Sequence, residues 1–426
     1  MNINIMVGSG ILIGPGIMAG VAGNASFLTW LVVALLFLPI VLCTVQLNRM
    51  NPGSGGFYTY AKSGLNSTAG YISGLLYMVG YTFSIAVEIL ALRKTLFVAM
   101  GHQWEWFTNN PLLFNGVVTL SIIGLNLLGL KLFSRIVNSL TIWKIVPIVT
   151  LILLLPFIIS PTFTITASEV TLIPQAMPFA IFGFFGFEYA CSISHLIENS
   201  ERNAPLAILI GFFATALLYT LFNFGVLNLM GADQLSALGA SSFAQFLTVP
   251  IPYFKSLMTF LIPTASAITL FAAGTGLLNA NAVMMSSLAK DNIFRYSSIF
   301  AQETSWFRPW FAIILFGVLG FLIATYIPNI DVVGNISIVG VMMAFILPFI
   351  ALINLQRRRG KAAQIPLTLA ALAISGGLLI YILRQMGMHA GNFGLTTMIY
   401  RFLPFILLFV AGAALYRNPS TKETAR

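Results

Sequence analysis

The sequence predicts an all-α polytopic membrane protein with about twelve transmembrane helices, on three observations. Of the 426 residues 58% are hydrophobic and only 8% are charged, against roughly 25% charged in a soluble domain. Apolar runs of roughly twenty residues, the length needed to cross about 30 Å of hydrocarbon, recur along the whole chain. Period-2 alternation is missing, which argues against an outer-membrane barrel.

The spans are expected to begin near Asn2, Phe27, Thr68, Leu112, Ile136, Pro174, Pro205, Phe254, Pro309, Val332, Ile365 and Thr397. The one beginning at Thr68 runs on to about Met100 and is expected to tilt or to project beyond the bilayer. Residues 1–160 hold spans 1–5, residues 161–360 hold spans 6–10, and residues 361–426 hold spans 11–12 and a polar cytoplasmic tail. With the N-terminus in the cytoplasm, Arg49, Lys131, Arg202, Lys290 and the run Arg357 to Arg359 fall on the cytoplasmic side. Positive charge concentrates there, so both termini are expected inside, in the inner (plasma) membrane.

The net charge of +10 sits in short loops rather than on a soluble face, which excludes a nucleic-acid partner. Cys43 and Cys191 fall inside apolar spans, and no Cys–His cluster has metal-ligand spacing, so no metal or cofactor is expected. The first basic residue is Arg49, which leaves no charged region for a cleavable signal peptide.

Two spans carry glycine clusters where a continuous helix does not want them. One is Gly8-Ser9-Gly10-Ile11-Leu12-Ile13-Gly14-Pro15-Gly16 in span 1. The other is Phe182-Gly183-Phe184-Phe185-Gly186-Phe187-Glu188 in span 6. Glycine disfavours helix by about 1 kcal/mol relative to alanine, and unwound backbone at membrane depth persists only where it lines a cavity. The clusters occupy the first span of each five-span half, the placement that marks a transporter binding site. Freed amides attract a carboxylate and freed carbonyls accept from an ammonium, so a zwitterion suits the pair. Close helix packing is the other use for such glycines.

Beyond the clusters, Pro52-Gly53-Ser54-Gly55-Gly56-Phe57-Tyr58-Thr59-Tyr60 is similar to the P-x-S-G-G-x-Y-x-Y loop of the amino acid–polyamine–organocation superfamily of permeases. Gly8-Ser9-Gly10-Ile11 resembles its G-S-G-I-F signature. Phe187-Glu188 with Glu198 to Pro205 resembles the segment joining its helices 6 and 7. Ser286 to Asn292 resembles the end of its helix 8, with Asn292 replacing a glycine. The resemblance, nearest to the arginine/agmatine-type antiporter branch, implies a five-plus-five inverted repeat with two accessory helices. It also implies a non-enzymatic carrier working by alternating access, by proton-coupled symport or exchange.

By the same resemblance Val7, Gly8, Ser9, Gly10 and Ile11 on helix 1 meet the substrate, as do Phe182, Gly183, Phe185 and Gly186 on helix 6, with Phe182 at the place of an aromatic gate. Leu277 takes the place of a helix-8 tryptophan, so a small or neutral amino acid or a related amine is expected rather than arginine. Glu188 stands where a glutamate takes part in proton-linked gating, and Lys144 where a lysine replaces a sodium ion or exchanges protons. The partners expected are the substrate, protons and the bilayer, with a homodimer as a further expectation.

Other uses stay open at three of these places. Glu188 could be permanently bonded to neighbouring amides, Lys144 could snorkel to the interface, and Glu88 reads best as a local ion pair with Arg93 or Lys94 near the exterior. Only Met1 to Val7, about 10 Å of helix, precede the first glycines. Superfamily members carry a longer lead, so a start further upstream or a weakened inner gate is expected, and a transporter-like sensor or inactive homologue is the alternative. A channel would need charge rings or filter loops, and none is present in the sequence.

Overall fold

The computed structural model describes residues 2–53, 55–100, 104–159, 163–238, 252–305, 308–388 and 394–417. Ser54 of the loop motif, most of the expected exterior loop after Leu238 and the tail from residue 418 lie outside the described residues.

The helices are α1 Asn2–Met6, α2 Ser9–Ala22, α3 Leu28–Met50, α4 Gly56–Gly64, α5 Ser67–Met100, α6 Glu105–Thr108, α7 Pro111–Leu127 and α8 Leu130–Ile158. The second half holds α9 Ala167–Thr171, α10 Ile173–Phe184, α11 Tyr189–Ser192, α12 Ser200–Met230, α13 Ala232–Leu238, α14 Pro252–Lys290 and α15 Ser297–Phe300. It closes with α16 Trp310–Tyr326, α17 Ile330–Arg358, α18 Ile365–Met388 and α19 Gly394–Ala414.

Every expected span has a helical counterpart in order, the first as α1 with α2 and the sixth as α10 with α11. Among the described residues seven helical runs are long and apolar enough to cross a membrane, and α7, α16 and Arg401–Ala414 are shorter apolar helices. The pair α10 and α11 reaches no such length because its helix is interrupted. This is an all-α, multi-pass membrane protein.

Local chemistry sets several of the ends. Asn110 caps α7 by accepting from the Leu113 amide at 3.1 Å, with Pro111 in the first turn. Asn329 caps α17 through the Val332 amide at 3.0 Å. A Thr166–Glu169 capping box starts α9, and Glu169 also accepts from the Asn24 amide at 2.7 Å, tying the turn after α2 to this segment.

The long helix α5 is the central column, its apolar window buried along its whole length between α14 and α17. Its crossing with α17 is set by Gly80 and Gly340: a Cβ on Gly340 would stand 2.8 Å from the Gly80 Cα. Small residues let backbones approach this closely where no water drives association. By contrast α8 turns Ile142, Trp143, Val146, Leu153 and Phe157 outward, a face suited to lipid. Polar side chains carried by α5 therefore point into protein, and there they meet α1, α2 and α10.

Candidate functional site

The first helix is interrupted at Val7 and Gly8. A Cβ on Gly8 would lie 2.7 Å from Glu88 Oε1, so only glycine lets α5 come this close. The first amides of α2 and the last carbonyls of α1 lack partners within their own helices, and side chains of opposite charge serve both ends. Glu88, buried on α5, accepts from the Ser9 amide with both carboxylate oxygens at 3.1 Å and from Ser9 Oγ at 2.7 Å. Lys144, buried on α8, donates from Nζ to the carbonyls of Asn4 and Val7, each at 2.6 Å. Anion at a helix start and cation at a helix end are the favourable signs for the two dipoles.

The sixth helix is interrupted between Phe184 and Tyr189. Gly186 takes a φ of +105°, a left-handed conformation that suits glycine, and packs against Ile5 and Met6 of α1. Glu188 is fully buried in this turn; it accepts from the Gly186 amide at 3.2 Å and from the Tyr81 hydroxyl. Tyr77 stacks on Tyr81 with ring centroids 4.3 Å apart.

The two interruptions touch. A Cβ on Gly10 would lie 2.7 Å from the Gly183 Cα, so the chains meet backbone to backbone. Tyr219 of α12 spans the junction, its hydroxyl placed against the carbonyl of Met6 and, at 3.2 Å, that of Gly183. Asn2 donates to the Phe187 carbonyl at 2.7 Å, and Asn4 donates to the Ala272 carbonyl of α14 at 2.9 Å. The short first half-helix is thereby pinned to both α14 and the helix-6 turn.

Two hollows adjoin this junction. The inner one encloses about 250 Å³ of atom-free space, lined by Ile5, Met6, Gly10, Ser84, Glu88, Phe182, Gly183, Phe185 and Leu277. The second, of about 440 Å³, runs along α2 away from α1, with Ser9, Gly10 and Phe182 at one end and Asp331 and Asn335 of α17 among its walls. Phe182 belongs to both linings and stands between them.

Of the residues singled out in the sequence, Gly10, Phe182, Gly183, Phe185 and Leu277 are brought together around the inner hollow, and Ser9 joins the second. Val7 instead offers its carbonyl to Lys144, Gly8 makes room for Glu88, Gly186 packs on Ile5, and Ile11 is buried in the core. Lys144 does not snorkel; it is wholly buried.

One expectation is corrected. Glu88 does not face Arg93 or Lys94 near the exterior, because its carboxylate is drawn to the open start of α2. Tyr219, Asn2 and Asn4 escaped the sequence reading as well. Among the described residues no group of three His, Cys, Asp or Glu side chains gathers that could hold a metal.

Comparison with known proteins agrees with this architecture. The family model for amino acid permeases matches residues 1–413. The serine/threonine exchanger SteT of Bacillus subtilis is 24% identical over 393 residues, covering 89% of this chain and 87% of its own length. The putrescine transporter PotE of Escherichia coli K12 is 25% identical, covering 86% of this chain and 84% of its own. The L-asparagine permease of the same organism is 22% identical, covering 95% and 84%. The chain belongs to the amino acid permease family, within the amino acid–polyamine–organocation superfamily.

Proposed function

We propose that this permease carries an amino acid or a related amine across the inner (plasma) membrane by alternating access, as a proton-coupled symporter or an exchanger. The observation that carries the reading is the meeting of two interrupted helices at Gly10 and Gly183 beside a hollow lined by both. Main-chain groups freed there can serve a small polar solute without the cost of stripping its charges bare. The named activities of the relatives, serine/threonine exchange, putrescine transport and asparagine permeation, span this substrate range.

In this reading residues 1–160 and 161–360 are inverted repeats, residues 361–426 are accessory, and both termini face the cytoplasm. The hollow beyond Phe182 is then the outer vestibule, with Phe182 as the gate between it and the binding cavity. The contacts of Asn2 with Phe187 and of Tyr81 with Glu188 close the cytoplasmic side. Opening inward requires both to part, and protonation of Glu188 supplies the switch, because a neutral carboxyl holds the Tyr81 hydroxyl less strongly than a carboxylate does. Lys144 holds α1 to α8 as a built-in cation.

The test is uptake and counterflow by the purified protein in liposomes, screened over amino acids and amines with and without a pH gradient. Saturable uptake with trans-stimulation or gradient dependence is the expected result. Absence of flux for every solute, with the protein correctly folded, overturns the proposal.

A further inference from the structure

The seat that a substrate carboxylate would take at the start of α2 already holds one. Both Glu88 oxygens lie 3.1 Å from the Ser9 amide, and one lies 2.7 Å from Ser9 Oγ. Glu88 is also the charged residue among those lining the inner hollow. Lys144 is turned away toward the carbonyls of Asn4 and Val7 and is not part of that lining. The other backbone feature facing the hollow is the end of α10 at Phe182 and Gly183, the negative pole of that half-helix. A carboxylate and a helix C-terminus thus converge on one small space whose remaining walls, Ile5, Met6, Phe185 and Leu277, are apolar. On the route in, Asp331 is the charged residue among the vestibule walls, and Arg401 enters only at the wider mouth.

We infer that this permease selects primary amines that carry an apolar body and lack an α-carboxylate, with Glu88 as the specificity-determining residue that receives the ammonium. The inference rests on the permease reading and narrows its substrate class. An α-carboxylate entering the same space would face Glu88 at contact distance with little water between, and such like-charge juxtaposition disfavours binding by on the order of a hundredfold or more. An ammonium there gains a charge-assisted hydrogen bond instead, while a short alkyl chain meets Ile5, Met6 and Leu277.

A matched set of probes separates charge from size: n-butylamine, L-norvaline, which is the same skeleton with an α-carboxylate, and L-norvalinamide, in which that group is neutral. Binding to the purified full-length protein is read by calorimetry, and transport by counterflow in liposomes. The expected result is that n-butylamine and L-norvalinamide bind about a hundredfold more tightly than L-norvaline and exchange across the membrane. Glu88→Gln keeps an acceptor for Ser9 and is expected to reduce that preference to less than about tenfold. The wild-type comparison stands even if this variant folds poorly.

L-Norvaline binding and exchanging as well as the amines overturns the inference, as does failure of all three probes to bind. Exchange of an amino acid from the broader screen without amine binding sinks this inference and leaves the permease reading intact. Absence of flux for every solute sinks the permease reading itself.

Discussion

Replacing Gly10 by alanine tests the central contact, and replacing Gly14 provides its control on the same half-helix. The added methyl at position 10 would sit 2.7 Å from the Gly183 Cα, whereas carbon atoms rest about 3.5–4.0 Å apart. Two stretches of main chain would have to separate by about 1 Å, and overpacking of this kind costs about 1–3 kcal/mol. At position 14 the methyl would find Trp30 at 3.4 Å, an ordinary contact. Both changes gain the helix preference of alanine over glycine, about 1 kcal/mol. The comparison therefore isolates the backbone contact: Gly14→Ala is expected to be neutral or stabilising, and Gly10→Ala to be less stable than it by about 1–3 kcal/mol. The assay is thermal unfolding of both variants in detergent beside the parent, with liposome counterflow as a second readout. Equal stability and equal flux for the two variants would refute the claim that helices 1 and 6 meet at this point.

Lys144→Met removes two charge-assisted bonds of about 1.5–3 kcal/mol each and leaves the Asn4 and Val7 carbonyls without their donor. A large fall in the thermal midpoint is expected, and an unchanged midpoint would show that α1 is held by other means. Glu188→Gln and Tyr81→Phe each remove one side of the buried contact at the helix-6 turn, so uptake is expected to lose its dependence on a pH gradient. If the gradient dependence survives both, together with Lys144→Ala, proton coupling lies elsewhere. Arg308, buried, donates to the Asn126 carbonyl at 2.7 Å and to Asn279 Oδ1 at 2.8 Å, and stacks on Phe133 with its guanidinium 4.7 Å from the ring centre. Arg308→Leu is expected to cost about 3–5 kcal/mol by leaving those acceptors unpaired, read by thermal unfolding. Asp291→Asn, by contrast, removes a half-exposed ion pair with Lys62 and is expected to cost under about 1 kcal/mol.

Hydropathy made the spans legible because lipid demands apolar length. Glycine made both interruptions legible because few other residues tolerate an unwound turn so tightly enclosed; Gly8 and Gly186 are where the chain turns. Leu277 in the cavity wall was reached through the family resemblance alone, since nothing in its own neighbourhood distinguishes it. Glu88 misled. Arg93 and Lys94 lie about one helical turn along the same strand of sequence, while its true partner, Ser9, is separated from it by 79 positions. Local charge pairing was a reasonable inference, and tertiary packing overrode it. Tyr219 gave no signal at all, because a tyrosine in an apolar span looks the same whether its hydroxyl rests on a lone carbonyl or bridges two chains.

That bridge has a mechanical consequence. Tyr219 fastens Met6 and Gly183 to one hydroxyl on α12, directly behind the place where Gly10 and Gly183 abut. Neither broken helix can swing past the other without tearing a buried hydrogen bond and prising two main chains apart. The pair is therefore geared together: a tilt of one is handed to its mate through a tyrosine pivot, and the slack needed for motion must be found where they rub against α5 and α14.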